Sequence, residues 1–445
     1  MSKPSLRRAL AAALLLGAPA LRAADAAQAD VTQRIAAQYP SLEALYRDLH
    51  AHPELSLQEE KTSARVAAEL RSAGLEVTER FGGTGVVGVL RNGPGPVLLI
   101  RTDMDALPVK EDTGLPFAST VRAVNLSGAE VPVMHACGHD LHMTVFVGTA
   151  RVLAAIRDRW SGTLVMVGQP AEEFVVGARN MLSAGLYRSF PKPDFAIGLH
   201  DEPALPTGSV GFAEGYFSSN SDSVDITVRG IGGHGAAPEN TKDPIVLASQ
   251  IVLALQTIVS RELHPGERAV VTVGTIHGGT KNNIIPDEVK LQLTLRSYDA
   301  AVREHLVNSI RRICRGEAIA AGIPEDLMPV VTVSGSSADA IYNDPALTRR
   351  VRAAVAGWLG QAQVRSVEPV MTSEDFSQYG RTVERVPICF FMLGASDPAR
   401  LAESRRTGVA LPSLHSSRFA PVAEPTIKTG VAAMTAAALD LLPKS

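Results

Sequence analysis

From about residue 40 the chain alternates between stretches whose apolar residues recur with helical spacing and short runs that are apolar throughout. Residues 62–72 (TSARVAAELRS) gather their apolar side chains on one face and are closed by Gly74, which predicts an amphipathic helix. Residues 86–90 and 97–101 predict strands, the second apolar enough to be covered on both faces of a parallel sheet. A mostly buried helix follows over 141–156, then short apolar strands over 163–167 and 195–199. The pattern changes near residue 218. Residues 223–229 (SVDITVR) alternate with period two, as a strand with one wet face does. A helix over 244–261, strands over 270–276 and 288–296, and a helix over 300–320 complete this block. Helix 353–359, strand 386–393 and helix 426–442 then resume the first pattern. The fold class expected is α/β: a large helix–sheet–helix domain interrupted by a smaller inserted α+β domain. The boundaries are 27–217 and 335–445 for the large domain and 218–334 for the insert.

The N-terminus changes the picture. Lys3, Arg7 and Arg8 precede an apolar stretch over 9–21, and Ala24-Asp25-Ala26 offers a small-x-small cleavage site. Residues 1–26 therefore predict a secretory signal peptide, too short for the roughly 20 residues of a membrane span. No later window reads as long and apolar enough to cross a bilayer, so the expectation is an exported soluble protein, periplasmic or secreted. Losing Lys3, Arg7, Arg8 and Arg22 against Asp25 takes the net charge from −3 to −6. With 45% hydrophobic and 20% charged residues and no basic run, a disordered chain and a nucleic-acid partner are excluded. Three cysteines, Cys137, Cys314 and Cys389, exclude a disulfide-built scaffold, and their odd number in an oxidising compartment leaves one for another role.

The polar residues of interest follow strand ends. Strand 97–101 runs into Asp103-Met104-Asp105, strand 163–167 into Gln169-Pro170-Ala171-Glu172-Glu173, and strand 195–199 into His200-Asp201. In open α/β sheets ligands bind beyond the carboxyl ends of the strands. Between them lies His135-Ala136-Cys137-Gly138-His139-Asp140-Leu141-His142. Alone, Cys137 and His139 also fit a helix start holding an ordinary buried cysteine. Beside the acidic strand ends they suit zinc or a similar first-row metal. Adjacent acids suit metal-assisted hydrolysis, because one carboxylate can ligate while the other serves as general base to the water. Neither Gly-x-Ser-x-Gly nor His-Glu-x-x-His occurs. Gly83-Thr84-Gly85-Val86-Val87-Gly88 matches a dinucleotide fingerprint, but β-branched residues and Asn92-Gly93-Pro94-Gly95 replace the helix it needs, so no nicotinamide cofactor is expected.

RTDMDALP, MHACGHDLHM, GQPAEE, GLHDEPALPTGSVG, GGHGAAP, DPIVLASQIVLALQTIVSR, NNIIPDEV, TSEDFSQY and LHSSRFAP occur in this order from Leu45 onward. Together they resemble the co-catalytic metallopeptidase family of aminoacylases and glutamate carboxypeptidases. The resemblance is strongest to its amidohydrolase branch of hippurate and auxin-conjugate (indole-acetyl-amino-acid) hydrolases. It implies hydrolysis of N-acyl amino acids with two divalent metal ions, manganese or zinc. The implied metal ligands are Cys137, His139, Glu173, His200 and His415. Glu172 is implied as general base and proton shuttle, and Asp105 as the acid orienting a ligating imidazole. His234 and Asn283 are implied to hold substrate or oxyanion, often across a dimer interface, and Arg296 to grip a substrate carboxylate. The insert is implied to be a dimerisation or lid domain. A dipeptidase or carboxypeptidase on the same machinery, or a binding protein without turnover, are the competing readings.

Other residues have plainer expected roles. His50 and His52 are expected to shape a turn, and Asp140 and His142 to cap a helix or support a ligand. Asp375 is expected to be structural or to lie near the site. Two departures from the family pattern bear on selectivity: Glu239 follows Pro238 where relatives carry histidine, and Asp201-Glu202-Pro203 replaces a more apolar stretch.

Overall fold

A computed structural model describes residues 6–333 and 337–444, with side chains from Gln28 onward. Residues 1–5 of the expected leader, the side chains of its remainder, and the expected boundary at 334/335 lie outside the described part. The backbone from Leu6 joins a helix, Leu6–Ala51.

An eight-stranded sheet runs in the order Glu76–Thr78, Val86–Asn92, Gly162–Gln169, Val97–Asp103, Phe195–Pro206, Ile388–Ser396, Val210–Phe212, Val364–Ser366. The strands Gly162–Gln169, Val97–Asp103, Phe195–Pro206 and Ile388–Ser396 are mutually parallel. Their sequences are nearly continuous in apolar residues because both faces are covered. Leu98, Ile100, Leu164, Met166, Ile197 and Leu199 face the layer formed by helices Leu6–Ala51, His139–Ala155, Pro345–Leu359 and Ala423–Leu441. The alternate residues Leu99, Val165, Val167 and Ala196 face a second cluster with Met181, Phe376 and Tyr379.

Residues 220–333 carry the second sheet. Four antiparallel strands lie in the order Ala269–Gly278, Glu288–Ser297, Asn220–Arg229, Val330–Val333. Val224, Ile226, Val228, Leu291, Leu293 and Leu295 turn inward under helices Pro244–Thr257 and Ala300–Ala320. Lys290 and Gln292 turn outward. Here one face is wet, and period two shows in the sequence.

One expectation about helix character is corrected. The segment Pro244–Glu262 is long and apolar enough, by length and composition, to cross a bilayer. It is apolar on two sides: Leu247, Ile251 and Leu255 are buried on the small sheet, whereas Ile245, Val246 and Leu253 face outward, the last 73% exposed.

A second correction concerns His50. It shapes no turn but is buried at the end of helix Leu6–Ala51. Its Nδ1 lies 2.6 Å from an Asp140 oxygen and its Nε2 lies 3.0 Å from one of Glu111. Burial pulls its pKa down, yet the two carboxylates carry it up to about 10, so the ring is a buried cation. Removing one member of a buried ion cluster leaves the others uncompensated. His50→Leu is therefore expected to lower unfolding free energy by about 3–5 kcal/mol in denaturant titrations. A loss below about 1 kcal/mol would show that the cluster is not ionic.

Candidate metal centre and active site

The parallel strands deliver their polar residues to one edge, beyond their carboxyl ends. Strand Val97–Asp103 leads to Asp105, and strand Gly162–Gln169 leads to Glu172 and Glu173. Strand Phe195–Pro206 continues past the expected end at 199, paired with Ile388–Ser396, and carries His200 within it. Cys137 and His139 stand at the start of helix His139–Ala155. Gly138 between them has φ +78°, and a Cβ there would fall 2.5 Å from Asp201 Oδ1. Only glycine lets the flanking thiol and imidazole turn to one side at this approach. The turn after Gln169 is equally tight. Ala171 and Val175 are left-handed, and a Cβ on Gly177 would meet the Pro170 carbonyl at 1.6 Å.

These turns bring the five expected ligands together. Cys137 Sγ is 3.4 Å from His200 Nε2, and His415 Nε2 is 3.4 Å from Glu173 Oε1. His139 Nε2 is 4.0 Å from both Glu172 Oε2 and Glu173 Oε1. The donor atoms of Cys137, His139 and His200 lie within 4.8 Å of one another, as do those of Cys137, Glu173 and His415. Cys137 belongs to both groups, the placement of a ligand shared by two cations. His139 Nε2 and Glu173 Oε1 are buried without a hydrogen-bond partner. Such orphaned atoms facing each other fit a metal ion, and a set of thiolate, imidazole and carboxylate fits a first-row divalent cation. Burial, then Glu173 and Glu172, push the Cys137 thiol well up, an effect that a coordinated cation reverses.

The imidazoles are fixed from behind. His139 Nδ1 is 2.8 Å from the Asp105 carbonyl oxygen, and His200 Nδ1 is 2.7 Å from that of Asp201. A carbonyl only accepts, so each Nδ1 carries the proton and each Nε2 keeps its lone pair for a cation. The Asp105 carboxylate stands farther from His139, at 3.4 Å, and accepts the backbone N–H groups of Glu172 (3.1 Å) and Glu173 (3.0 Å) and the Ser56 hydroxyl (2.6 Å). The carboxylate thus orients the paired acids, while the ring is held by the Asp105 backbone carbonyl. Asp105→Asn turns one acceptor oxygen into a donor and is expected to weaken metal affinity 10–100-fold, measured by competition with a chelating dye. Wild-type affinity in that variant would remove Asp105 from the supporting set.

Beneath the donors lies a buried network that the motifs only partly signal. His142 bridges Asp103 (2.8 Å) and Asp201 (3.0 Å). Arg101, fully buried, donates to Asp103 (2.7 Å), Glu374 (2.8 Å) and Asp375 (3.1 Å). Burial raises Asp375 to about 7 against the pull of Arg101. Asp375 is thus part of the support, one layer behind the cavity. Arg101 and Glu374 were the residues missed, and an arginine closing an apolar strand was the available signal, since a buried cation requires acids opposite.

A cavity of about 370 Å³ opens over the donors, lined by Glu172, Phe217, Arg296, Phe390, Met392 and Leu414 among others. Glu172 is buried in its wall, and burial, then Glu374 and Glu173, push its carboxyl well above the usual range. Arg296 reaches the cavity from strand Glu288–Ser297, its guanidinium hydrogen-bonded to Ser221. His234 and Asn283 do not reach it within one chain. They sit together on the exposed tip of the insert, where Gly235 N donates to the Asn283 carbonyl (2.9 Å) and His234 pairs with Ile284.

The family model of peptidase family M20/M25/M40 matches residues 99–415. Thermostable carboxypeptidase 2 of Saccharolobus solfataricus is 36% identical over 397 residues, covering 87% of this chain and 92% of its own. N-acetyldiaminopimelate deacetylase of Limosilactobacillus fermentum is 36% identical over 366 residues, covering 81% and 90%. Among solved structures, the Bacillus subtilis YXEP protein, a dinuclear metal-binding peptidase, superposes with a TM-score of 0.72 at 28% identity, covering 91% of this chain and 99% of its own. The chain belongs to peptidase family M20/M25/M40 and is a metal-dependent hydrolase of carbon–nitrogen bonds.

Proposed function

We propose that the protein, exported and freed of residues 1–26, cleaves the amide bond of N-acyl amino acids to a carboxylic acid and an amino acid. The observation that carries this reading is Glu172, a carboxylate buried in the cavity wall within 4.0 Å of His139 and next to Glu173. Held by Cys137, His139, Glu173, His200 and His415, two divalent cations, manganese or zinc, would supply Lewis-acid polarisation of the carbonyl and a lowered water pKa. Glu172 accepts the proton of the attacking water at a carboxylate oxygen and then gives it to the departing amine nitrogen. Among the described residues Arg296 is the one lysine or arginine lining the cavity, and it binds the carboxylate of the amino-acid part. Phe217, Phe390, Met392 and Leu414 give the acyl part an apolar wall and exclude water.

The test is turnover of a panel of N-acyl amino acids beside unblocked dipeptides and C-terminal peptide substrates, with metal-reconstituted protein. Faster cleavage of the N-acyl substrates is expected. The resemblance to a thermostable carboxypeptidase supports the second reading, which prevails if peptides are cleaved faster. Full metal loading with no turnover across the panel would overturn both substrate readings.

The insert is further proposed to form a homodimer. Strand Ala269–Gly278 is one of the two edge strands of its sheet, and Val246, Leu253 and Ile276 are exposed on it and on helix Pro244–Thr257. Sedimentation velocity is expected to show a dimer that Leu253→Glu converts to monomers. A monomeric wild type overturns this.

A further inference from the structure

Two charged groups lining the cavity have no counter-charge among the described residues. Glu202 lies two residues beyond His200 on strand Phe195–Pro206, so the alternation of the strand points both side chains to the same face. Both line the cavity. Register pairing with Gly394 fixes Glu202 to the sheet rather than to a loop. One Glu202 oxygen accepts the Ala204 N–H (2.8 Å), and among the described residues no lysine, arginine or histidine stands within ion-pair distance. The other acids around the cavity are accounted for: Asp201 is paired with His142 and His200, Glu374 with Arg101, Glu173 is read as a ligand and Glu172 as the base. Among the described residues Arg296 likewise has no acid within ion-pair distance, its neighbour Asp222 being taken by Arg303.

Among the described residues the cavity thus offers one free side-chain cation and one free anion, which complements a ligand with the opposite pair. We infer that Glu202 selects substrates whose amino-acid part carries a positively charged side chain, N-acyl derivatives of basic amino acids, with Arg296 taking the α-carboxylate. This rests on the N-acyl amino acid hydrolase reading and names the substrate class within it. In a partly desolvated cavity a single opposite charge discriminates more strongly than at an open surface, and added salt weakens it.

The test compares kcat/KM of metal-loaded enzyme for N-acetyl-L-lysine, N-acetyl-L-norleucine and N-acetyl-L-glutamate, which share a backbone and differ in side-chain charge. The lysine derivative is expected to exceed the norleucine derivative at least about tenfold, the ratio shrinking as ionic strength rises. Glu202→Gln is expected to bring the lysine-to-norleucine ratio within about twofold, and Glu202→Lys to turn the preference toward glutamate. Because each ratio is internal to one protein, loss of active molecules in a variant does not disturb it. Turnover with norleucine equal to or ahead of lysine, or a ratio that survives Glu202→Gln, overturns the inference alone. No turnover of any of the three while other N-acyl amino acids of the panel are cleaved also overturns the inference alone; no turnover of any N-acyl amino acid in the panel overturns the N-acyl reading and the inference with it.

Discussion

Glu172→Gln is expected to lower kcat about 10³–10⁴-fold while the protein keeps its full complement of metal. The amide preserves the size of the side chain and its place in the cavity wall, but it neither accepts a proton from water nor returns one to nitrogen. Its neighbour Glu173 is the acid whose oxygen lies 3.4 Å from His415 within a donor group, so coordination should survive. Elemental analysis beside single-turnover kinetics checks both halves. A variant that keeps its metal and turns over at a tenth of the wild-type rate or faster would move the proton transfer to another group. The surroundings give that variant little help. Glu374, the other acid against Glu172, already accepts from Arg101 and from the Phe376 N–H, so it is poorly placed to take over.

The site was legible wherever chemistry and chain direction coincide. Asp105, Glu172 and His200 follow apolar runs, and strand ends of a parallel sheet share one edge, so their convergence could be read from the sequence. Cys137 and His139 were legible through their spacing. His415 was not: it lies 215 residues beyond His200, on a loop without periodicity. What places it is a left-handed backbone (φ 65°) and a hydrogen bond from its own N–H to the Ala136 carbonyl (2.8 Å). Only the resemblance pointed to it. The alternation of the insert was visible because one face of its sheet is wet, whereas the extension of strand Phe195–Pro206 past residue 199 was hidden. Polar residues such as His200 and Asp201 break an apolar pattern without breaking the backbone ladder with Ile388–Ser396. Ion networks were the least legible, since His50 and Asp140 stand 90 residues apart. Neither carries a local sign of the other.

His139→Ala is the complementary experiment. His139 contributes to donor groups with Cys137 and His200 and with Glu172 and Glu173, and among the described residues its Nε2 has no hydrogen-bond partner. Alanine should therefore remove coordination without orphaning a hydrogen bond on the donor side, leaving the Asp105 carbonyl as the one acceptor to be resatisfied. The expected result is loss of one of two metals per chain and a fall in kcat/KM of at least about 10³, since a lost Lewis acid forfeits several kcal/mol of transition-state stabilisation. Glu172→Gln and His139→Ala thus separate the two parts of the chemistry. In the first, metal content stays while turnover collapses; in the second, both fall. Two metals per chain in His139→Ala, with kcat/KM within tenfold of wild type, would exclude His139 from the metal centre and with it the arrangement of donors around Cys137.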